Sequence, residues 1–299
     1  MACMLWATAF VGIKIGLQYA TPLQFAGIRF FIAGIMILPF IKDFKRKWVA
    51  SLPYWKTIVG IAILQTTILY ALFYLGLARV PAAIGAMLAG ASPLFIALVA
   101  HFTIRTDRMT FHKMICILLG MLGVAIISLT KGGVSSGDYP FIWLGIVFLI
   151  INNIAAGAGN VLVAIKGKNL PPLMLSSFAL SIGGALLFII SLFVEGTTFH
   201  VVYPPSYYIA LGWLSFLSAT AISIWYTLLQ RPSVKVSDLS MWKFMIPVLG
   251  ACFSWIVFAD ESPNAISLIG MTIIGGSLLL LNMKRKMGNP FRKQPKKMA

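Results

Sequence analysis

Runs of about 20 apolar residues recur along the whole sequence, separated by short polar breaks. A run of that length is what an α-helix needs to cross the hydrocarbon core of a bilayer. Ten runs fit the sequence, with predicted boundaries at 3–20, 22–41, 55–78, 81–102, 112–130, 140–164, 172–194, 206–229, 237–259 and 264–283. The chain is therefore predicted to be an all-α integral membrane protein with ten transmembrane helices.

The composition excludes a soluble globular protein of this length. Of the 299 residues, 60% are hydrophobic and only 10% are charged. Lysine and arginine together number 24 against seven aspartates and glutamates, an excess that in a soluble chain would suggest nucleic-acid binding. Here the position of the charges explains the excess, so no nucleic-acid partner is predicted.

Most of the cations fall in alternate loops, which is the pattern of cytoplasmic loops in multi-pass proteins of the inner or plasma membrane. They are Lys42, Lys45, Arg46, Lys47, Lys56, Arg105, Arg108, Lys113, Lys166, Lys168, Arg231, Lys235 and seven residues after position 283. The opposite loops hold Arg79 and Lys131 together with Asp138, Glu195, Asp260 and Glu261. Both termini are therefore predicted to be cytoplasmic, and the basic tail could contact anionic membrane lipids.

Landmarks in the first half of the chain recur in order in the second half. The matched pairs are Pro22 with Pro172 and Gly34 with Gly184, 150 residues apart, and Pro93 with Pro247 and Asp107 with Glu261, 154 residues apart. Each half has five predicted spans, an odd number, so the second half must enter the membrane from the opposite side. The sequence predicts two inverted five-helix repeats at 1–134 and 135–286, followed by a basic cytoplasmic tail at 287–299. Inverted repeats are common in secondary transporters, where the substrate site lies between the halves.

Short motifs recur at characteristic places in both halves of the sequence. The first half begins with Leu-Trp-Ala-Thr-Ala-Phe-Val at residues 5–11, and Pro22 to Phe25 are followed by Arg29. Later helices carry a proline followed by two apolar residues, and an acidic residue comes 14 positions after the proline; Glu261 matches this pattern directly and Asp107 matches it with a shorter side chain. Together these motifs resemble the EamA-type branch of the drug/metabolite transporter superfamily. The resemblance implies a ten-helix secondary transporter that exports or exchanges amino acids, other metabolites or sugar-derived compounds. It does not choose among these substrates.

Three cations lie inside predicted spans, where an ionised side chain costs about 2.5 to 3.5 kcal/mol and usually faces a polar cavity or a partner. They are Lys14, Arg29 and Lys243. Lys14 and Lys243 are candidates for binding a carboxylate or phosphate of the substrate, and Arg29 for positioning its helix. The alternative is that the long side chains reach the membrane surface. No Asp or Glu lies deep in any span, which disfavours a carboxylate proton relay.

Neutral side chains could complete the substrate site. The amides of Asn152 and Asn153 and the aromatic rings of Trp6, Tyr70 and Trp242 are the main candidates. Other side chains with the same chemistry, equally suited to helix packing, are Thr8, Gln65, Thr66, Thr67, Tyr74, Ser92, Asn160, Trp225 and Tyr226. Pro93 and Pro247 each remove a backbone hydrogen bond in the middle of a span, so kinks are expected there and could serve as gating points.

The remaining motifs assign no cofactor and no metal. None of Cys3, Cys116 and Cys252 forms a ligand spacing with a histidine or another cysteine. An integral-membrane enzyme is disfavoured because no paired carboxylates and no catalytic triad fall at one membrane depth. A channel is the other alternative, and would need a continuous polar pore. The oligomeric state does not follow from the sequence.

Overall fold

The structure, a computed structural model, describes residues 1–129, 141–196, 202–257 and 265–287, together with most of their side chains. Over these ranges the secondary structure is entirely helical. The helices are α1 (Ala2–Gly16), α2 (Pro22–Ile37), α3 (Phe44–Ser51), α4 (Trp55–Ala62), α5 (Leu69–Leu77), α6 (Ala82–Gly90), α7 (Ser92–Thr103), α8 (Phe111–Leu129), α9 (Ile142–Ile165), α10 (Pro172–Val194), α11 (Pro205–Leu229), α12 (Val236–Met241), α13 (Met245–Val257) and α14 (Ala265–Met287).

Seven helical stretches within the described ranges are long and apolar enough to cross a membrane. They are Pro22–Phe40, Phe44–Leu77, Ile84–Thr103, Phe111–Ser128, Ile142–Asn169, Pro172–Val194 and Pro205–Leu229. The other three predicted spans coincide with α1, with α12 and α13 together, and with α14, which are shorter or interrupted. The all-helical membrane class is thus found, whereas ten membrane crossings remain a prediction.

One helix lies where the sequence analysis placed a loop. Residues 42–54 were expected to connect two spans, but α3 begins at Phe44 and leads through a 3-10 turn into α4. The reason is amphipathic spacing, since Phe44, Trp48 and Leu52 recur every four residues among lysines and arginines. Such a segment forms a helix at the membrane surface, where no long apolar run is needed.

The two central prolines interrupt their helices as the missing N–H groups predict. One break separates α6 from α7 at Ala91, two residues before Pro93. The other is a 3-10 turn, Trp242–Phe244, that precedes Pro247 and separates α12 from α13. A third irregularity is a π-helical segment, Ile63–Ile68, between α4 and α5. Irregular helix inside a membrane protein commonly marks functional regions.

Helices α2 and α10 approach each other most closely, through glycines at matched positions of the two halves. A Cβ atom on Gly34 would lie 2.6 Å from the carbonyl oxygen of Ser177, and one on Gly184 would lie 2.5 Å from the backbone nitrogen of Phe31. The Ser177 hydroxyl donates to the carbonyl of Gly34 at 2.7 Å. These contacts place α2 and α10 antiparallel at the centre of the molecule, with small residues permitting the approach.

The other helices pack around this pair, and the contacts of a helix in one half resemble those of the matching helix in the other half. Helix α1 packs against α11 and α13, and its counterpart α9 packs against α5 and α7. Helix α2 also contacts α11, while α10 contacts α4 and the π-helical segment. Helices α8 and α14, the last of each half, pack against each other. Residues from both halves therefore meet along the middle of the bundle.

The α2–α10 crossing gives the first prediction. Gly34→Ala should lower the free energy of unfolding by about 2 kcal/mol, because the new methyl group would lie 2.2 Å from Ser181 Oγ and force the helices apart. Thermal unfolding of the detergent-purified protein measures the effect. Gly275→Ala is the matched control, since a Cβ at Gly275 meets nothing within 4 Å. Equal melting temperatures for the two variants would show that α2 and α10 can move apart at this crossing without loss of stability.

Candidate functional site

The ammonium group of Lys243 lies between two tryptophans from different halves of the chain. Its Nζ is 5.1 Å from the ring centroid of Trp225 on α11 and 5.9 Å from that of Trp6 on α1. The two rings meet edge to face with centroids 5.2 Å apart. Within the described ranges, Lys243 forms no ion pair and no side-chain hydrogen bond. The ring faces attract the cation but leave its three N–H donors available to an anion or to water.

The local backbone explains how a lysine reaches this position. Lys243 is the middle residue of the 3-10 turn between α12 and α13, one helical turn before Pro247. A regular helix would bond the carbonyl of Lys243 to the N–H of residue 247, which proline lacks. The turn therefore lies where the α-helical bond is missing, at a junction packed against α1.

A hydrogen-bond network holds Trp225 in place. Trp225 Nε1 donates to Asn160 Oδ1 at 2.8 Å, and Asn160 Nδ2 donates to the carbonyl of Ala156 at 2.8 Å. The same carbonyl accepts a bond from Gln65 Nε2 at 3.1 Å, which ties the π-helical segment to α9. Trp225 and Asn160 are both buried, so each bond removes the cost of an unpaired polar group.

A second buried cation lies in the first half. The guanidinium carbon of Arg29 is 4.4 Å from the ring centroid of Phe30 and 5.5 Å from that of Tyr70. Arg29 is only 4% exposed, and its Nε has no hydrogen-bond partner among the described residues. Arg29 thus has an aromatic pair of its own, as Lys243 has its two tryptophans.

The two predicted asparagines have different environments. Asn153 Nδ2 donates to the carbonyl of Leu88 at 2.7 Å, so this amide supports the backbone at the break beside Pro93. Asn152 is 5% exposed, and its Oδ1 is buried without a partner in the part of the chain that is described. Asn153 thus has a structural partner, whereas Asn152 keeps an acceptor available. Thr66 and Thr67 bond to carbonyls of Ala179 and Gly183 and hold helices together.

The structure brings together part of the predicted site. Trp6 and Lys243 lie together, and Tyr70 contacts Arg29. Trp242, beside Lys243 in sequence, is instead 44% exposed, and Trp225 occupies the place beside the ammonium group. Lys14 lies on α1, but its side chain is outside the described part of the structure, as are Glu261 and residues 288–299 of the tail. Among the described residues no group of three or more His, Cys, Asp or Glu could hold a metal ion.

A second polar cluster joins the two halves at the basic end of the bundle. Lys113 Nζ lies 2.9 Å from Asp107 Oδ1 and 2.7 Å from Asp238 Oδ1. Asp107 also accepts hydrogen bonds from the hydroxyl of Ser237 and, at 2.9 Å, from its backbone N–H. Asp107 therefore caps the N-terminus of α12 from across the bundle, where a negative charge is favoured. We call Asp107, Lys113, Ser237 and Asp238 the terminal cluster.

The terminal cluster perturbs the pKa of Asp107, which lies in the connection between α7 and α8. Burial alone would raise the pKa of this carboxyl. The hydrogen bonds from Ser237 and Lys113, together with the charge of Lys113, outweigh burial and bring the pKa of Asp107 below its ordinary value. The charged form is thus the stable one in the folded protein.

Comparison with known proteins agrees with this architecture. The family model described as the EamA-like transporter family matches residues 1–129 and again residues 143–283. The uncharacterised transporter YvbV of Bacillus subtilis is 26% identical over 95% of this chain and 90% of its own. An uncharacterised transporter of Archaeoglobus fulgidus is 25% identical over 95% and 96%. A solved crystal structure superimposes with a TM-score of 0.80 at 19% identity, covering 96% of each chain, which supports the fold alone.

The helical fold, the apolar spans and these matches define a multi-pass membrane transporter and not an enzyme. The chain belongs to the EamA-like transporter family.

The Trp225 network gives the second prediction. Trp225→Phe keeps a ring beside Lys243 but removes the N–H, so Asn160 Oδ1 loses its partner and the protein should lose about 1 kcal/mol of stability. Thermal unfolding of Trp225→Phe, Asn160→Leu and the double variant measures the coupling. The double variant should lose less stability than the two single variants lose together. If the two losses of stability simply add, the hydrogen bond between Trp225 and Asn160 contributes nothing to stability. Trp213→Phe, at an exposed position of α11, is the control.

The terminal cluster gives the third prediction. Because the pKa of Asp107 is lower in the folded than in the unfolded chain, its stabilisation is present above the unfolded pKa of about 4 and is lost as pH falls through the folded value. Asp107→Asn should therefore lower stability by about 2 kcal/mol at pH 7, and the difference from the wild type should shrink between pH 5 and pH 3. Thermal unfolding at several pH values checks this.

The control for Asp107→Asn is Asp43→Asn. Asp43 forms an exposed pair with Arg46 at 3.4 Å, with 64% of the aspartate side chain accessible, so its loss should change stability little at any pH. A constant difference between the wild type and Asp107→Asn down to pH 3 would contradict the assigned role of the Asp107 charge.

Proposed function

We propose that this protein is a secondary transporter that moves small metabolites bearing a carboxylate or phosphate, such as amino acids, across the inner or plasma membrane by alternating access. Export or exchange is the proposed mode. The observation that carries the proposal is the Lys243 ammonium group, which lies between Trp6 and Trp225 where the two halves meet and has no anionic partner in the described structure.

Two observations support an inverted repeat. The family model matches the chain twice, once in each half. The packing of α1, α2, α4 and α5 has a counterpart in the packing of α9, α10 and α11, and the matched helices α2 and α10 run antiparallel. In transporters built this way the substrate binds at the interface of the repeats. Lys243, Trp225 and Trp6 occupy such an interface.

An unpaired lysine among aromatic rings favours an anion over a cation or a neutral apolar compound. Each ring contact stabilises the ammonium by about 0.5 to 2 kcal/mol, which offsets part of the cost of removing it from bulk water. An incoming carboxylate or phosphate would accept its N–H groups in charge-assisted hydrogen bonds, which are stronger than neutral ones. The tryptophan faces would contact the apolar part of the same compound.

The acidic residues argue against a carboxylate proton relay inside the bundle. All seven aspartates and glutamates of the sequence fall at the ends of the predicted spans or between them: Asp43, Asp107, Asp138, Glu195, Asp238, Asp260 and Glu261. Proton-coupled transporters usually place a carboxyl within the membrane. Exchange of one anion for another, or passive export down a gradient, needs no such group and fits the residues present.

The packing of the interrupted helices supports a closed basic end. Helix α7 packs against α12, and the terminal cluster joins the same region. Helices α6 and α13 are the counterparts of this pair at the opposite end, and their described parts make at most marginal contact. An arrangement closed at the basic end and more open at the other is one of the two states that alternating access requires. Pro93 and Pro247 lie at the helix breaks that could flex between the states.

The fourth prediction tests the cation site. A thermal-shift screen of the purified protein against amino acids, organic acids, sugar phosphates and organic cations identifies a ligand, and counterflow in reconstituted vesicles then measures transport. Lys243→Gln should lower the apparent affinity for an anionic ligand at least about tenfold, because a charge-assisted hydrogen bond is lost. Lys235→Gln, at an exposed position just before α12, is the matched control and should transport normally.

Two results would overturn the proposal. Stabilisation by cations or neutral apolar compounds alone would exclude an anion site. Flux that does not saturate and shows no counterflow would indicate a channel instead of a transporter.

A further inference from the structure

A groove lies on the outer surface of the bundle, between α3, the beginning of α4 and one turn of α10. Its lining residues are Trp48, Ser51, Leu52, Trp55, Ile58, Val59, Phe178 and Ile182. The exposed lining is apolar, since the Ser51 hydroxyl donates to the carbonyl of Lys47 at 2.7 Å and is buried. Nothing in the transport site described above uses these residues.

The groove crosses the boundary between the headgroup region and the hydrocarbon core. The helical stretch Phe44–Leu77 has 34 residues, about 51 Å of helix, which is roughly 20 Å longer than a hydrocarbon core is thick. Its first turns must therefore lie at the membrane surface, where Trp48 and Trp55 are 41% and 57% exposed. Tryptophan is the residue that favours this depth. The lining from Trp48 to Val59 follows the helix inward for about 16 Å.

Three cations border the groove, two at its outer end and one farther along it beside Trp55. Lys45 precedes Trp48 by three residues and Lys47 precedes Ser51 by four, so both lie along the row that lines the groove. The Nζ of Lys56 is 5.7 Å from the ring centroid of Trp55. None of the three has a carboxylate partner within the described ranges. Arg46, on the opposite side of α3, is paired with Asp43.

We propose that this groove binds an anionic phospholipid. One acyl chain lies against Leu52, Phe178 and Ile182, and the phosphate is bound by the ammonium groups of Lys45 and Lys47, while Lys56 adds positive charge farther along the groove. A zwitterionic lipid offers the same chain and phosphate, but its own headgroup cation would be repelled by three lysines. Phosphatidylglycerol carries no such cation, so charge complementarity selects it.

Titration of the purified, delipidated protein with phosphatidylglycerol or phosphatidylcholine, followed by native mass spectrometry, tests the charge requirement. The wild type should bind phosphatidylglycerol more tightly. The triple variant K45Q/K47Q/K56Q should lose at least about tenfold in affinity for phosphatidylglycerol and little for phosphatidylcholine, because each nearby cation contributes about fivefold. R46Q is the matched control and should bind like the wild type. Melting temperatures without added lipid confirm that the variants are folded.

The groove itself is tested by Ile182→Trp, which fills it without changing the charge. This variant should weaken the binding of both lipids. Equal affinity of the wild type for the two lipids, or unchanged binding of phosphatidylglycerol by the triple variant, would overturn the proposal. So would a dimer that Ile182→Trp dissociates, since the groove would then be covered by a second copy of the chain.

Discussion

The hydrocarbon core offers no hydrogen-bond partner, and this constraint decides which irregularities the fold can contain. Each backbone group there must be bonded within a helix or by a neighbouring side chain. Near the break beside Pro93, Asn153 donates to the carbonyl of Leu88, which also accepts from the backbone N–H of Ala91 at 3.2 Å. Near the π-helical segment, Gln65 shares the carbonyl of Ala156 with Asn160. Amides that could have bound a ligand thus donate instead to backbone carbonyls near the irregular helix segments.

The same constraint gives the two central cations their significance. A charged group within the bundle is costly unless a partner lies near it, and aromatic faces offset only part of that cost. Arg29 has Phe30 and Tyr70, and Lys243 has Trp6 and Trp225. Lys113 differs from both because two carboxylates neutralise it. Among the described residues, the cation that joins the halves at the basic end is therefore paired with carboxylates, whereas Arg29 and Lys243 contact aromatic rings instead.

Run length in the sequence predicted the helices well because the bilayer imposes it; the predicted span 172–194 and α10 coincide. Helix α3 was not predicted, because a helix at the membrane surface needs no long apolar run. A charge within an apolar run is conspicuous, which made Lys243 a candidate, whereas its neighbour Trp242 is exposed and Trp225 lies beside the ammonium group. Adjacent residues of a 3-10 turn point about 120° apart. Trp225 lies 65 residues from its partner Asn160, and Asp107 lies 130 from Ser237, contacts that only tertiary packing creates.

One short segment connects the proposed substrate site to the terminal cluster. Ser237, the second residue of α12, bonds to Asp107, and Lys243 follows six residues later in the 3-10 turn. A rigid α12 would transmit any displacement of Ser237 to Lys243 over about 9 Å of helix. On the proposed mechanism, the binding of an anion at Lys243 and the closing of the basic end by the terminal cluster both act on the position of α12. Linkage requires the effect to be reciprocal, so weakening the cluster should change the affinity for the anion as well as the stability of the closed state.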